Sequence, residues 1–268
     1  LDINSIINFG RYLAKHRRDP ESAKQAMALR AAYNLYENCN YDPYTNGEND
    51  VLIKLTRYHF RTILDVGANV GNWAKMASSA HPDSTIHCFE IAPEISEKLI
   101  EALKDKGNFV VNRFGLSNRV GSEDIKYYPD SSEHTSNIMD FPLEADYKIV
   151  KGEVATGDEY LKRSGLDEVD FLKIDVEGME YLVLEGFWEC FISKKIKVVQ
   201  FEYGQRNILT KHLLIDFYRF FLKHGYLIGK IYPGYVDFRD YSITDEDFIG
   251  PNYLAVRKDL KDYVKVLS

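Results

Sequence analysis

The sequence predicts a doubly wound α/β domain, with helices on both faces of a mostly parallel sheet. Three observations predict it. From Val51 onward, short apolar runs alternate with segments of helical periodicity, the pattern of strands joined by crossover helices. The first apolar run ends in a glycine turn, Asp65-Val66-Gly67-Ala68-Asn69-Val70-Gly71. The second ends in an acidic residue, Glu90. Residues 1–50 lie outside the alternation and read as a helical extension, with 51–268 as the α/β domain.

Taken in order, the extension opens with Ile3, Ile6, Ile7 and Leu13 near helical spacing, followed by Lys15, His16, Arg17 and Arg18. Asp19-Pro20-Glu21 is a helix-start signal. The run that follows, to Tyr36, is rich in Ala, Leu and Met. A basic amphipathic N-terminus suits a membrane surface. The plainer expectation is a helix packed on the main domain or on a second copy, giving a homo-oligomer through the N-terminal helices. Residues 39–50 are polar, with Pro43 and Gly47, and read as a linker or loop. Strands are expected at 62–66, 85–90, 109–113, 171–175, 198–203, 227–232 and 253–257. Helices are expected at 72–79, 93–104, 156–163, 180–185 and 211–224. The stretch 122–151 breaks the alternation. It reads as a β-type excursion at 125–128 followed by a long loop, and long loops inside compact domains are often functional.

Composition narrows the class. The chain has 268 residues, which suits one large α/β domain with an extension. Hydrophobic residues make up 45%, enough for a substantial core. The net charge of -7 argues against a general nucleic-acid binder, whose main attraction is to phosphates. Cys39, Cys88 and Cys190 are too far apart for a C-x-x-C motif, and an odd count argues against a disulfide framework. A reducing, cytoplasmic location is the expectation. No apolar run approaches the roughly 18 residues needed to span a bilayer, so no integral membrane segment is expected. The sequence opens at Leu1 without an initiator Met, which leaves an upstream anchor or a removed segment open.

The glycine turn and Glu90 suggest a nucleoside ligand. Glycines allow a tight turn and close backbone approach. An acid at the tip of the second strand can accept hydrogen bonds from both ribose hydroxyls. A dinucleotide site would want G-x-G-x-x-G to seat a pyrophosphate on a helix N-terminus. Here the spacing is Gly67-x-x-x-Gly71, with Asp65 at the strand end. A carboxylate there suits the ammonium of an amino-acid moiety better than a diphosphate. S-adenosyl-L-methionine has such an ammonium, a ribose and no phosphate.

Asp65–Gly71 followed by Glu90 resembles the first two motifs of the Rossmann-like methyltransferases. The later segment Phe171-Leu172-Lys173-Ile174-Asp175-Val176-Glu177-Gly178-Met179-Glu180 is more specific and resembles the FkbM-type S-adenosylmethionine-dependent methyltransferases, which modify hydroxyls on sugars and natural products. The resemblance covers roughly residues 63–257. It implies a seven-stranded, mostly parallel sheet with a reversed last strand. It also implies that Asp65, Gly67, Asn69, Gly71 and Glu90 bind the cofactor, with Ser117 near the adenine. The expected activity is O-methylation of a small-molecule or glycan acceptor.

Methyl transfer to an alcohol needs in-line alignment and removal of a proton. The carboxyl edge of such sheets is where ligands bind, and three acids fall there. Asp175 ends the fourth strand and is expected to touch the cofactor or the acceptor. Glu177 follows on the same turn, and Glu202 lies near the end of the fifth strand. The plain alternative for each is a cap or a salt bridge. Glu180 favours its helix N-terminus through the dipole. His134, within the long excursion, is a further candidate base in a loop that would fold over the acceptor, since imidazole titrates near neutral pH. Ser136 and Asn137 fit the small polar residues that the family tends to carry there. Asp175, Glu177 and Glu202 offer the oxygen ligands that Mg²⁺ takes, but acids at i and i+2 are a weak signal and no metal is expected. Tyr127, Tyr128, Tyr203, Tyr232 and Tyr235 fall near predicted strand ends, where aromatic faces suit carbohydrate or half-buried surface. The turn Tyr232-Pro233-Gly234-Tyr235 is placed at the acceptor cleft. The competing readings are a nicotinamide-dependent oxidoreductase, which the missing G-x-G-x-x-G disfavours, and a cofactor-binding partner subunit without catalysis.

Overall fold

The structure is a computed structural model that describes residues 2–105, 107–138, 142 and 144–268. Parts of the predicted long loop, positions 139–141 and 143, lie outside the described residues. The strands are β1 (Thr62–Val66), β2 (Thr85–Phe89), β3 (Phe109–Asn112), β4 (Gly115–Leu116), β5 (Gly121–Tyr127), β6 (Lys148–Ala155), β7 (Val169–Ile174), β8 (Ile196–Glu202), β9 (Tyr226–Tyr232), β10 (Tyr235–Phe238) and β11 (Asn252–Arg257). The helices are α1 (Ile3–Lys15), α2 (Pro20–Tyr36), α3 (Glu48–Leu55), α4 (Asn72–Ala80), α5 (Pro93–Leu103), α6 (Gly157–Ser164), α7 (Glu180–Glu185), α8 (Trp188–Ile192), α9 (Asn207–Thr210), α10 (Leu214–Lys223) and α11 (Lys261–Leu267).

The central sheet runs β10-β9-β11-β8-β7-β1-β2-β3. Its core strands pair in parallel from β8 through β7, β1 and β2 to β3. The reversed last strand is present: β11 sits antiparallel between β8 and β9. The sheet has eight strands rather than the expected seven. The eighth, β10, is a hairpin return from β9 through Pro233 and Gly234. Those two residues are the turn placed above at the acceptor cleft. The structure instead packs it against α3, where Lys54 Nζ reaches the Gly234 carbonyl at 2.6 Å and Asp50 accepts from the Gly234 amide at 2.8 Å.

Two apolar layers enclose the sheet. One face carries Tyr160, Phe187, Phe191, Phe201, Phe217 and Phe221, with Phe201 and Phe217 stacked 4.7 Å apart. The other carries Leu52, Leu55, Trp73, Met76, Leu99 and Leu267. Each such fully buried side chain contributes about 1.5–3 kcal/mol. The second layer needs α3 and α11, both absent from the sequence reading. At eight and seven residues, about two turns each, they are too short to stand out by periodicity.

The stretch 122–151 folds differently from the predicted loop. Its excursion is a strand, β5, that pairs along its whole length with β6, and β4 completes a separate three-stranded sheet. Gly152 interrupts the apolar alternation of β6, which hid the strand. A side chain there would lie 2.7 Å from the backbone oxygen of Ile91, so the small sheet packs on the loop after β2 only because this residue is glycine.

The extension divides unevenly. The polar segment read as a linker is welded to the α/β domain. Asn38 donates to the carbonyls of Asn46 and Ile231, and the buried Glu48 accepts from Asn46, Gln200 and Asn252. The two long N-terminal helices are not: Leu13 of α1 and Ser22 of α2 are the buried residues along them. The expectation of a first helix packed on the main domain therefore fails for most of its length. Asp2 and Asp19 cap α1 and α2 by accepting from Ser5 and Ser22.

Candidate functional site

The site grows from the point where β1 gives out. Gly67 has φ +83 and its amide donates to the Phe89 carbonyl at 3.0 Å. A Cβ on Gly67 would stand 1.8 Å from the backbone oxygen of Asp175. The glycine thus lets the turn after β1 press against the end of β7. Asn69 is left-handed at φ +46, and its amide donates to Glu90 Oε2 at 3.0 Å. Gly71, expected at the cofactor, does not line the cleft. It caps α4 at φ +81, and a Cβ there would meet the Leu99 side chain at 2.9 Å. It serves the close packing of α4 on α5.

These elements bound a cleft at the carboxyl edge of the sheet. Gly67, Asn69, Glu90, Ser117 and Asp175 line it, with apolar walls from Phe89, Ile91, Ile95, Leu116, Ile125 and Val154. Glu90 also accepts from the Ala92 amide at 2.9 Å, so its carboxylate is held rigidly at the tip of β2. Burial pushes Glu90 up to about 7, against the pull of these amides. An apolar slot with a fixed acid at one end suits a nucleoside base and its ribose diol.

Asp65 is corrected by the structure. It does not line the cleft but lies fully buried beneath it. In register, Asp65 pairs with Lys173 on β7, and Lys173 with Gln200 on β8, so the three side chains share one face of the sheet. Lys173 Nζ stands 3.4 Å from Asp65 and 3.0 Å from Asp175. Burial opposes the Lys173 charge, but Asp175, Asp65 and Glu48 outweigh it and hold the amine protonated. Burial raises Asp65 in turn. The sequence reading passed over Lys173. The signal was a lone cation in the fully buried strand β7, since buried charges need partners.

Asp175 stands at the end of this relay with 37% of its side chain exposed. Burial pushes its pKa up, but Lys173, Glu202 and Arg206 prevail, so it is held below the usual carboxylate range. Glu177, at φ +60, pairs with Arg206 Nε at 2.7 Å. Burial and Asp175 push Glu177 up to about 8. Glu202 is raised well above its ordinary value by burial, Asp175 and Glu177. Asp175 is therefore the ionised member of the pair, and Glu202 carries the proton between them. Oxygens of Asp175, Glu177 and Glu202 lie within 4.8 Å of one another, a spacing that admits a cation. Lys173 and Arg206 already pair with two of the three.

A second cleft opens beyond these carboxylates. It is lined by Asp175, Glu177, Glu180 and Glu202, by Gly204 to Asn207 after β8, by Asp247 to Ile249, and by Arg30, Asn34 and Tyr41 from the N-terminal segment. The two clefts meet at Glu133, Asp175 and Glu177. Two buried polar atoms on the second cleft's lining residues, Glu180 Oε2 and Asn207 Nδ2, have no hydrogen-bond partner among the described residues. The other oxygen of Glu180 accepts from the amides of Val176 and Gly178, capping the turn into α7.

The loop expected over the acceptor borders both clefts. Ser132 donates to Asn69 at 3.0 Å, and Ser136 to the Glu177 carbonyl at 3.2 Å. Ser136 and Asn137 line that first cleft, whereas His134 faces the second. Arg206 reaches His134 Nδ1 at 3.1 Å. Since a guanidinium only donates, Nδ1 is the accepting nitrogen, so the neutral ring carries its proton on Nε2 and has no free lone pair there with which to act as a base. Of the tyrosines singled out, Tyr127, Tyr128 and Tyr203 are buried in the fold, and Tyr232 bonds Glu37 away from both clefts. Tyr41, Arg206 and Asn207 were missed because loop positions carry no periodicity.

Topology and cleft together define a Rossmann-like α/β domain with a nucleoside-sized pocket at its strand switch point. The family described as the methyltransferase FkbM domain matches residues 65–228. The chain belongs to this FkbM methyltransferase family. It is 27% identical over 161 residues to the hexuronic acid methyltransferase AglP of Haloferax volcanii, covering 59% of this chain and 64% of that one. It is also 27% identical over 152 residues to the 31-O-demethyl-FK506 methyltransferase FkbM of Streptomyces tacrolimicus, covering 46% and 58%. The matched part thus spans somewhat less than two thirds of these relatives. Among solved structures, a methyltransferase FkbM from Methylobacillus flagellatus aligns at TM-score 0.48 and 15% identity, over 74% of this chain and 44% of that one.

Proposed function

We propose that the protein is an S-adenosylmethionine-dependent O-methyltransferase acting on a hydroxyl of a sugar, glycan or natural-product acceptor. The observation that carries the reading is the meeting of a nucleoside-shaped cleft and a polar acceptor cleft at Asp175 and Glu177. When bound, S-adenosylmethionine supplies an electrophilic methyl group on a sulfonium.

The residues present fit that cofactor. Glu90 is placed to accept from the two ribose hydroxyls, Ser117 and Leu116 border the base, and Gly67 and Asn69 form the wall nearest Asp175. On the acceptor side, Asp175 orients the reacting hydroxyl at the junction. The proton leaves into the carboxylate cluster, where Glu177 and the Asp175–Glu202 pair share it. Glu177, raised to about 8, is the member matched to slightly alkaline operation. The partnerless donor and acceptor atoms of Asn207 and Glu180 suit a ligand with several hydroxyls. The similarity to relatives named for a hexuronic acid and for FK506 supports an oxygen acceptor.

The test is thermal unfolding with S-adenosylmethionine, S-adenosylhomocysteine or NAD added separately. A ligand at about 100-fold its Kd stabilises by roughly 2.7 kcal/mol, about 5–10 °C for a chain of this size. A shift with both adenosyl compounds and none with NAD supports the reading and leads to a screen of glycosides and nucleotide sugars. A shift with NAD alone, or none with the adenosyl pair at millimolar ligand, overturns it. Binding without turnover on any acceptor would favour a non-catalytic partner subunit.

A further inference from the structure

Helix α1 leaves an apolar face uncovered. Ile3, Ile6, Ile7, Gly10 and Ala14 follow the i, i+3, i+4, i+7, i+11 spacing of one helix side. The three isoleucines are 70%, 48% and 48% exposed, and Phe9 and Tyr12 beside them 40% and 51%. Leu13, the buried residue of α1, lies seven positions after Ile6 on this same side, so the side is covered near its C-terminal end and left open along the isoleucines; α1 packs on α2. Single exposed apolar residues need no explanation, but a continuous stripe marks an interaction surface.

Charge says what covers the stripe. Arg11 and Lys15 flank it, and Arg17 and Arg18 follow at its end. Residues 1–18 hold four Lys or Arg and one acid, whereas the whole chain is at -7. Cations are concentrated where the apolar face is, on a molecule otherwise repelled by anionic surfaces. A parallel pairing of two α1 helices would bring the same four cations together, while anionic headgroups neutralise them. At about 1.5 Å per residue, 13 residues make a helix of roughly 20 Å, which can lie in a membrane interface but not span it. Among the described residues no helix is long and apolar enough to cross a membrane.

We propose that α1 is an interfacial helix that seats its isoleucine stripe in an anionic lipid bilayer, with Arg11, Lys15, Arg17 and Arg18 on the headgroups. The inference is independent of the enzymatic reading. It has one geometric consequence for it: α2, which α1 packs on, contributes Arg30 and Asn34 to the acceptor cleft, so a docked α1 brings that cleft to the lipid surface.

The full chain is mixed with phosphatidylcholine vesicles, with or without about a third phosphatidylglycerol, and floated through a density gradient. Co-flotation is expected with the anionic vesicles only, falling as salt rises from about 0.1 to about 0.5 M, since screening shortens the reach of the headgroup charge. Ile6→Asp with Ile7→Asp should lower the bound fraction at least about tenfold, as should Arg17→Gln with Arg18→Gln. Because these side chains are exposed, the unfolding midpoint of both variants should stay within about 2 °C of the parent. Failure to float with anionic vesicles overturns the proposal. So does flotation that the isoleucine pair leaves unchanged. A dimer seen by sedimentation velocity and dispersed by the same pair would also overturn it, assigning the stripe to self-association.

Discussion

The two clefts that meet at Asp175 are built by opposite means. The anchoring corner of the cofactor-side cleft is backbone and short-range, though its other walls come from Ser117, Ile125, Val154 and Asp175. The glycine turn, the tip of β2 and the amides holding Glu90 come from 28 consecutive residues, 65 to 92. The acceptor-side cleft is assembled from distant pieces: α2, the loop carrying His134, the end of β8 and the segment around Asp247. Of its acids, Asp175 and Glu177 are held by cations, and Glu180 by the amides of Val176 and Gly178. The difference separates two duties. On the proposed function, one side would fix the shared cofactor, and the other would hold the charge that moves during the reaction, with walls drawn from segments far apart in the sequence.

If that division is right, substitutions on the two sides should separate kcat from cofactor affinity. The largest effect is expected at Asp175. Asp175→Asn should lower kcat by about 10²-fold, the weight of losing the group that orients the reacting hydroxyl, while S-adenosylhomocysteine affinity by calorimetry changes less than about threefold. Equal losses in both would erase the distinction. Glu177→Gln should lower kcat roughly tenfold and, more tellingly, change the pH profile. Glu177 is raised to about 8 and accepts a proton only when ionised, so kcat/KM should rise with pH through about 8 in the parent. That limb should vanish in the variant.

On the cofactor side, Glu90→Gln should weaken S-adenosylhomocysteine about tenfold and leave kcat at saturating cofactor within about twofold. Glu90 is raised to about 7 by burial. Ribose hydroxyls donate to its ionised form, so affinity should improve roughly tenfold from pH 6 to pH 8 and be flat in the glutamine variant. A pH-independent parent would place the ribose elsewhere. Asn34→Ala in α2 should raise the acceptor KM about threefold with cofactor affinity untouched. The smallest effect is expected from chelation. Since Lys173 and Arg206 already pair with Asp175 and Glu177, dialysis against EDTA should leave turnover within about twofold. A loss restored by Mg²⁺ would recast the three carboxylates as a metal site.

The same division explains what could be read from the sequence. The strands β1, β2, β3, β7 and β8 of the parallel core, and the reversed β11, were legible because each is a short apolar run ending in punctuation. Gly67, Asn69 and Glu90 were legible because a turn and a strand tip are local events. Asp65 and Gly71 carried the right pattern with the wrong role: one is buried against Lys173, and the other packs on Leu99. Their roles depend on which neighbour lies beneath the turn, and sequence spacing does not contain that. The acceptor walls were illegible for a stronger reason. Arg30, Tyr41 and Asn207 are separated by up to 177 positions yet line one cleft, and only the sheet order brings them together. The small sheet of β4, β5 and β6 was hidden because Gly152 broke its alternation.

The contact between Gly67 and Asp175 has a consequence for how such a protein diversifies. The glycine turn is pressed on the carbonyl of Asp175, and the Asp175 amide bonds the Val66 carbonyl at 2.9 Å. The turn and the end of β7 therefore form one rigid joint. On the proposed function, the line along which a methyl group would travel is set inside that joint, independent of the walls around it. Helix α2 or the loops after β8 could then be exchanged, lengthened or recoloured with charge to greet a new molecule, and the aim of the reaction would be inherited intact.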